Sequence, residues 1–512
     1  MNTSFSAALA GLACAALMAG SGPALAQGKN LPRLGDGVDI TYAQERQFGE
    51  GVMSQLMRSP EWVLDPMMDQ HLQGIWTRLR QAALAQGLLS PEQNQQFSWE
   101  VSLLSDPSVN AFALPGGFIG VNLGLITQVD NEGELAAVMA HELSHVTQRH
   151  IARQFDKSQR EAPLVMGAML LGFLVAGHSA QGGQALIAGG QAVGISSQLG
   201  FSRGMEREAD RLGLLVLSAA GYSPKAFEGM FRQLGRASRL YDGQSFPYLR
   251  THPLTTEREA DVMARIQQMP PAPEPVVSLS FELFKARAKV LLADREGWAR
   301  LLQMAQPQAS DSPKVQATKA YERAFIGLKQ GQGAAAWQAW GELAQAVPKA
   351  DVARGWVSAL GAEIQMARRN PQAALTVLRE FKGDAPWPPA LRVLHNQALW
   401  ATGQPAAQAQ AIEDLEFMSA LNPRDILVWE ELARIWEAKG NRLRALRAQA
   451  EALHARYDDR AALDRLQAAL DWAERLRGNG KLGAADWSDW EIVQSRWRTL
   501  NQDRQDRLRS RS

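Results

Sequence analysis

A single cysteine, Cys14, is all the thiol this 512-residue chain contains. It lies in an N-terminal apolar stretch, so the chain beyond it has no disulfide and must be held by core burial. Gly11-Leu12-Ala13 before it makes a poor lipidation motif. An excess of one charge is also missing: 54 Lys and Arg against 53 Asp and Glu leave a net charge of +1. That balance supplies no field to gather nucleic acid, so none is expected as a partner. The basic end, Arg504 to Arg511, reads as a solvated tail. Long apolar runs are lacking too. Leu164 to Ala176 is apolar all round but only about thirteen residues long, short of the ~20 a spanning helix needs. It sits in an uncharged segment, 162–202, that fits a core helix, a membrane-surface element or a cover over a site. The favoured reading is a mobile cover making peripheral contact with a membrane or partner through 164–176.

What remains is the composition of a globular protein, 46% hydrophobic and 21% charged, with length for two to four domains. Leu9 to Gly20 is an uncharged apolar run, and Ala24-Leu25-Ala26 has the small-x-small form of a signal peptidase site. They predict a signal peptide over 1–26, cleaved before Gln27. The stretch before Ala7 has no Lys or Arg, which departs from the usual pattern and leaves a membrane anchor as the alternative.

The densest chemistry is His141-Glu142-Leu143-Ser144-His145. On a helix, His141 and His145 stand one turn apart and can reach one zinc ion. Glu142 is placed to take the proton of an attacking water. Leu135, Val138, Met139 and Val146 form an apolar stripe, and Asn131 with Glu134 resembles a capping box, so the motif belongs to a buried helix. The long metzincin motif would put a third His at position 151, which is Ile151. The third ligand must therefore come from elsewhere. Glu206 in Glu206-Arg207-Glu208-Ala209-Asp210 fits a His-His-Glu, gluzincin-like site holding one zinc per chain. Asp210 shares its helix face and suits a second-shell acceptor for a ligand His N–H. Glu208, the competing carboxylate, lies about 200° round the helix from either.

Asn110-Ala111-Phe112-Ala113-Leu114-Pro115-Gly116-Gly117-Phe118-Ile119, the His141 motif, the Glu206 motif and His252-Pro253-Leu254-Thr255 follow one another in this order. The sequence thereby resembles the HtpX and CAAX-protease family of zinc endopeptidases, and most closely its periplasmic branch with a tetratricopeptide tail. The resemblance implies a zincin-like α+β metallopeptidase domain with a small sheet, then an all-α tetratricopeptide-repeat solenoid, mainly α overall. It implies a periplasmic location. It assigns an edge strand near Asn110, Phe112, Pro115, Gly116 and Gly117 to substrate, where ladder hydrogen bonds would hold an extended peptide. It also gives His252 as a regulatory fourth ligand that holds the zinc closed. The alternative for His252 is a loop residue beside the next helix, capped by Thr256 with Glu259. The role of Arg258 is left between anchoring this loop and meeting a substrate carbonyl.

The expected organisation is a peptidase domain over 27–268, a Pro-rich linker over 269–277, helical repeats over 278–495 and a basic tail over 496–512. Phe97 to Leu104 and Phe118 to Val121 read as strands. In the repeats, Ala336, Ala373, Ala409 and Ala445 recur about every 36 residues, near the tetratricopeptide period. Trp429-x-x-Leu432-Ala433-x-x-Trp436, followed by Gly440, Ala445 and Ala452, is the clearest unit, and Ala324, Gly331, Ala336 and Pro348 mark another. Two functions stay open. One is a zinc endopeptidase that degrades misfolded or stalled outer-membrane proteins and assists their assembly. The other is a chaperone or assembly factor whose repeats engage unfolded outer-membrane proteins or the assembly machinery while the protease is silent.

Overall fold

The computed structural model describes residues 40–157, 201–240, 247–381, 387–480 and 483–509. The expected signal peptide and the 164–176 segment lie outside the described residues. No helix among the described residues is long and apolar enough to cross a membrane.

Helix α1 (Tyr42–Leu56) opens on a capping box between Thr41 and Gln44. Then come β1 (Trp62–Val63), α2 (Pro66–Ala85), α3 (Pro91–Gln96), β2 (Glu100–Leu104), β3 (Ala111–Leu114) and β4 (Phe118–Asn122). The strands make one sheet in the order β1-β2-β4-β3, with β2 parallel to β4 and β3 antiparallel to it. The strand expected from Phe97 starts only at Glu100. Trp99 adopts φ +56°, and this turn lets Ser98 N–H donate to Gly116 C=O at 2.8 Å. Alternation then sorts the two faces. Phe118 and Leu114 pack with Val52, Met53 and Leu56 of α1, while Ile119, Val121 and Ala111 face the main core with Leu72 and Trp76 of α2.

Helices α4 (Leu123–Gln128), α5 (Glu132–Thr147), α6 (His150–Lys157), α7 (Arg203–Ala219), α8 (Lys225–Leu240), α9 (Pro247–Thr251) and α10 (Thr256–Gln268) complete this part. The Asn131 side chain caps α5 by accepting from Glu134 N–H at 3.0 Å, as expected. Glu134 reaches back one residue further than a standard box, to Asp130 N–H at 2.7 Å. The predicted apolar stripe understates the burial: α5 is buried all round from Gly133 to Val146.

A helical array follows, so the chain is a small-sheet α+β domain followed by an all-helical region. It comprises α11 (Leu279–Leu292), α12 (Arg295–Met304), α13 (Pro313–Lys329), α14 (Gly333–Ala346), α15 (Arg354–Ala367), α16 (Pro371–Arg379), α17 (Pro389–Ala401), α18 (Pro405–Leu421), α19 (Ile426–Ala438), α20 (Arg442–Ala455), α21 (Asp459–Gly478) and α22 (Ala484–Arg509). Residues 270–278, up to α11, form no regular element, yet the apolar core continues across them. Phe284 stacks on His71 of α2 at 4.5 Å, and buried Arg287 joins Asp65 at the start of α2 to Glu363 of α15, each at 2.7 Å.

Small residues let paired helices approach, as at Gly327 against the Ala336 backbone. The alanine spacing holds at Ala336 and Ala445 but slips between them. Ala409 is exposed and Ala373 half-buried, and Ala411 and Ala374 take the buried places, because the intervening loops differ in length. The expected basic tail is instead the second half of α22. Its Arg507 meets Glu50 of α1 at 3.2 Å and pairs with Asp459. Tyr457, between α20 and α21, bonds Glu100 and sets its ring edge-on to Phe118 at 5.5 Å. The far end of the array thus returns to the sheet.

Candidate active site

The site is made where α5 and α7 cross. Glu206, Asp210 and Gly213 share one face of α7, and Gly213 lies on the α5 backbone: a β-carbon there would stand 3.1 Å from His141 N and 3.2 Å from Ala140 C. A side chain there would crowd the α5 backbone, so glycine favours that close approach, which carries Glu206 to the two histidines of α5. His252, in the loop between α9 and α10, enters from the third side. All four side chains are buried, and one ligand atom from each falls within 4.8 Å of the others.

Four distances define the cluster. His141 Nε2 is 3.0 Å from His145 Nε2 and 3.3 Å from His252 Nδ1, while Glu206 Oε1 is 3.4 Å from His145 Nε2 and 3.0 Å from His252 Nδ1. Ligand atoms placed tetrahedrally about 2.0–2.1 Å from a zinc ion stand about 3.3 Å apart. The donor set and its spacing therefore fit a tetrahedral metal of that size. Glu208 is not in the cluster; its carboxylate turns to His150 and Arg153.

Asp210 Oδ1 lies 2.9 Å from His141 Nδ1, the contact expected of a carboxylate that orients a ligand imidazole. Arg258, left undecided by the sequence, grips both Asp210 oxygens at 2.6 and 2.7 Å, Glu206 Oε2 at 2.7 Å and the carbonyl of Pro253 at 2.8 Å. It anchors the His252 loop to α7 and faces no open surface. The cap of α10 is Thr255, whose side chain accepts from Arg258 N–H, and not Thr256 as the sequence suggested. The ring of Tyr248, on α9, stacks on His252 at 4.6 Å.

Strand β3 runs beside this cluster. Asn110 C=O accepts from Asn122 N–H on β4, so by strand alternation Asn110 and Phe112 turn their backbone to β4, and Ala111 and Ala113 turn theirs outward. Ala113 N–H donates to Glu142 Oε2 at 3.1 Å. The strand edge next to Glu142, which no other strand pairs with among the described residues, thus belongs to Ala111 and Ala113, which the sequence reading passed over. Phe112 spends its side chain on Gly120, where its ring occupies the space a β-carbon would need. Gly116 and Gly117 form a closed turn with φ of +86° and +91°. A β-carbon on Gly116 would lie 2.5 Å from Arg46 Cα, and both glycine carbonyls accept bonds from Ser98 and Glu100. Pro115, Gly116 and Gly117 therefore shape the edge and are not part of it.

The sequence profile of peptidase family M48 matches residues 76–266, which take in every element of this site. The β-barrel assembly-enhancing protease of Escherichia coli (strain K12) is 30% identical over 438 residues, 85% of this chain and 86% of that protein. The chain belongs to peptidase family M48. The β-barrel assembly-enhancing protease of Yersinia pestis is 29% identical over 92% of both chains. The mitochondrial metalloendopeptidase OMA1 of Arabidopsis thaliana is 31% identical over 44% of this chain and 42% of that one.

In this M48 metalloprotease two buried carboxylates, Glu206 and Asp210, are set against the imidazoles and Arg258. Burial opposes charge on Glu206, but His252 and His141 outweigh it and hold the carboxyl well below its ordinary range. Burial likewise opposes charge on Asp210, and the bonds from Arg258 and His141 overcome it. Those two carboxylates overcome the burial of His141 and push it up to about 9. Burial keeps His145 well below its ordinary value, so it is a neutral donor. Burial also raises the Glu142 carboxyl, which suits a group that must accept and return a proton near neutrality.

One residue the sequence reading missed is His150. Its Nδ1 lies 2.8 Å from His145 Nδ1 and its Nε2 lies 3.0 Å from Glu208 Oε2. The only hint in the sequence was a histidine five positions after the motif.

Proposed function

We propose that the chain is a zinc endopeptidase in which His141, His145 and Glu206 hold the metal and Glu142 is the base. The observation that carries this reading is the buried four-atom donor cluster with Glu142 between it and the outer edge of β3. Zinc held there would supply a Lewis acid that polarises a scissile carbonyl and acidifies water. Glu142 then takes the proton of the attacking water and returns it to the leaving amine. Ala111 N–H and C=O and the Ala113 C=O lie on the edge an extended peptide would pair with, binding without regard to its side chains, while the Ala113 N–H is taken by Glu142. Asp210 fixes His141, and Arg258 fixes Asp210.

His252 is the fourth ligand of a resting site. A fourth protein ligand fills the position a substrate or water would use and makes the site a closed one. His252 Nδ1 is 3.0 Å from Glu206 and its Nε2 is 3.5 Å from Glu142 Oε1, so it stands between the metal donors and the base.

The substrates are unfolded or stalled outer-membrane proteins, met in the periplasm after export by the 1–26 signal peptide. The relatives from Escherichia coli and Yersinia pestis are named for enhancing β-barrel assembly, which supports the substrate class. The tetratricopeptide-like array contacts the outer-membrane assembly machinery. A second reading, an assembly factor acting through the array with its protease silent, is favoured by the position of His252. Glu142→Gln decides between them. It should abolish cleavage of an unfolded protein such as casein while zinc content stays at one per chain. Undiminished cleavage removes Glu142 as base. Full support of outer-membrane protein assembly by the cleavage-dead protein favours the second reading.

A further inference from the structure

His150 has no part in the chemistry above, yet it is wholly buried and in contact with a ligand imidazole. The backbone is bent to put it there. Arg149, between α5 and α6, adopts φ +52°, a left-handed conformation unfavourable for a residue with a side chain. Its guanidinium bonds Glu45 at 2.5 Å and covers the Tyr42 ring at 4.6 Å, which holds the bend in place. The bend turns the first residue of α6 back onto the last turn of α5.

The hydrogen bonds then run in one direction. His145 Nε2 faces His141 and Glu206 in the donor cluster. A neutral imidazole that gives this lone pair to a metal carries its proton on Nδ1. Two nitrogens 2.8 Å apart need one donor and one acceptor, so His145 Nδ1–H donates to His150 Nδ1. Neutral His150 therefore carries its own proton on Nε2 and donates it to Glu208 Oε2 at 3.0 Å. Arg153 pairs with the same oxygen at 3.1 Å and completes the chain.

We propose that His150, backed by Glu208 and Arg153, is a positioning residue for the metal site. It fixes the tautomer and ring orientation of His145 as Asp210 does for His141. The inference rests on His145 being a metal ligand. It also separates the roles of the two glutamates of Glu206-Arg207-Glu208: the first faces the metal donors, and the second supports a ligand through one intervening histidine. Phe201 stacks on the His145 ring at 3.9 Å and packs against His150 at 6.1 Å, so the relay is enclosed.

The test is zinc affinity, measured on the full chain by competition with a chromogenic chelator. His150→Leu keeps bulk but neither accepts nor donates. His150→Gln keeps one acceptor and one donor. Loss of an outer-shell partner weakens metal binding about 10–100-fold, so that loss is expected for His150→Leu, and His150→Gln should stay within about threefold of wild type. Equal losses for the two would make His150 a packing residue and overturn the proposal, as would unchanged binding by His150→Leu. If His150→Leu does not fold, Glu208→Ala carries the test from the less buried end of the relay: weaker binding supports the relay, and unchanged binding overturns it. A wild-type chain that binds no zinc refutes the metal site itself and this inference with it. A wild type that binds zinc beside an unaffected His150→Leu refutes the inference alone.

Discussion

Replacing Arg258 with Met should destabilise the peptidase part by about 3–5 kcal/mol. Met fills much of the same volume but donates nothing. Asp210 loses two bonds, at 2.6 and 2.7 Å, and Glu206 loses its cation at 2.7 Å. Both carboxylates are almost wholly buried, so water cannot replace the guanidinium. Stranding one buried charge accounts for the range quoted, and two carboxylates place the effect in its upper half. A metal bound as proposed would offset Glu206, so the loss should be larger in metal-free protein. A chain of 512 residues does not unfold in a single step, and one melting curve would blur a local change. Native-state hydrogen exchange of the α7 and α10 amides reads that opening directly. At tenfold per 1.4 kcal/mol, the upper half of that range means that protection should fall on the order of 10³-fold or somewhat more. Arg258→Lys, which keeps charge without the fork, should fall between. Adding Asp210→Asn to Arg258→Met removes the stranded charge and should restore part of the protection. A fall of less than tenfold in Arg258→Met would refute the reasoning, because the two carboxylates would then not depend on Arg258.

Three further outcomes follow from the same geometry. His252→Ala should raise cleavage of unfolded protein, and the gain should vanish in combination with Glu142→Gln; a lower rate at full zinc occupancy would make His252 an aid to catalysis instead. Gly213→Val must push α7 off the His141 backbone. It should destabilise the domain by about 1–3 kcal/mol and weaken zinc binding, read by chelator competition, by separating Glu206 from the histidines. A chain ended after Pro275 should not keep a stable zinc site. It uncovers His71 and the surface beneath Phe281 and Phe284 and leaves Asp65 without Arg287, so loss of helical signal at lower temperature than in the full chain is expected.

The sequence was most legible where chemistry follows a helical period. His141 and His145 lie one turn apart by the geometry of any α-helix, and Glu206 and Asp210 share a face for the same reason, so their placement could be read before the fold was known. The Asn131 cap and the buried character of α5 were equally local. Strand β2 was misjudged at its start because the turn at Trp99 depends on a hydrogen bond to Gly116, far along the chain. The alanine period of the array failed at Ala373 and Ala409 because loop lengths shift the register, and spacing alone does not report them.

Residue types and their short-range spacing therefore determined the reaction class: two histidines, a carboxylate between them, and a second acidic helix. Tertiary structure decided how those groups are held. His150 and Glu208 are 58 positions apart, and Arg258 and Asp210 are 48 apart. Their meeting depends on how closely α7 crosses α5, which the contact of Gly213 with the His141 backbone sets. It depends equally on the left-handed turn at Arg149, which aims His150 at His145. The return of α22 and Tyr457 to the sheet is of the same kind. Helical periodicity is a property of a few consecutive residues, but a crossing is a property of two surfaces. Surface complementarity is spread over residues that carry no local signal of it.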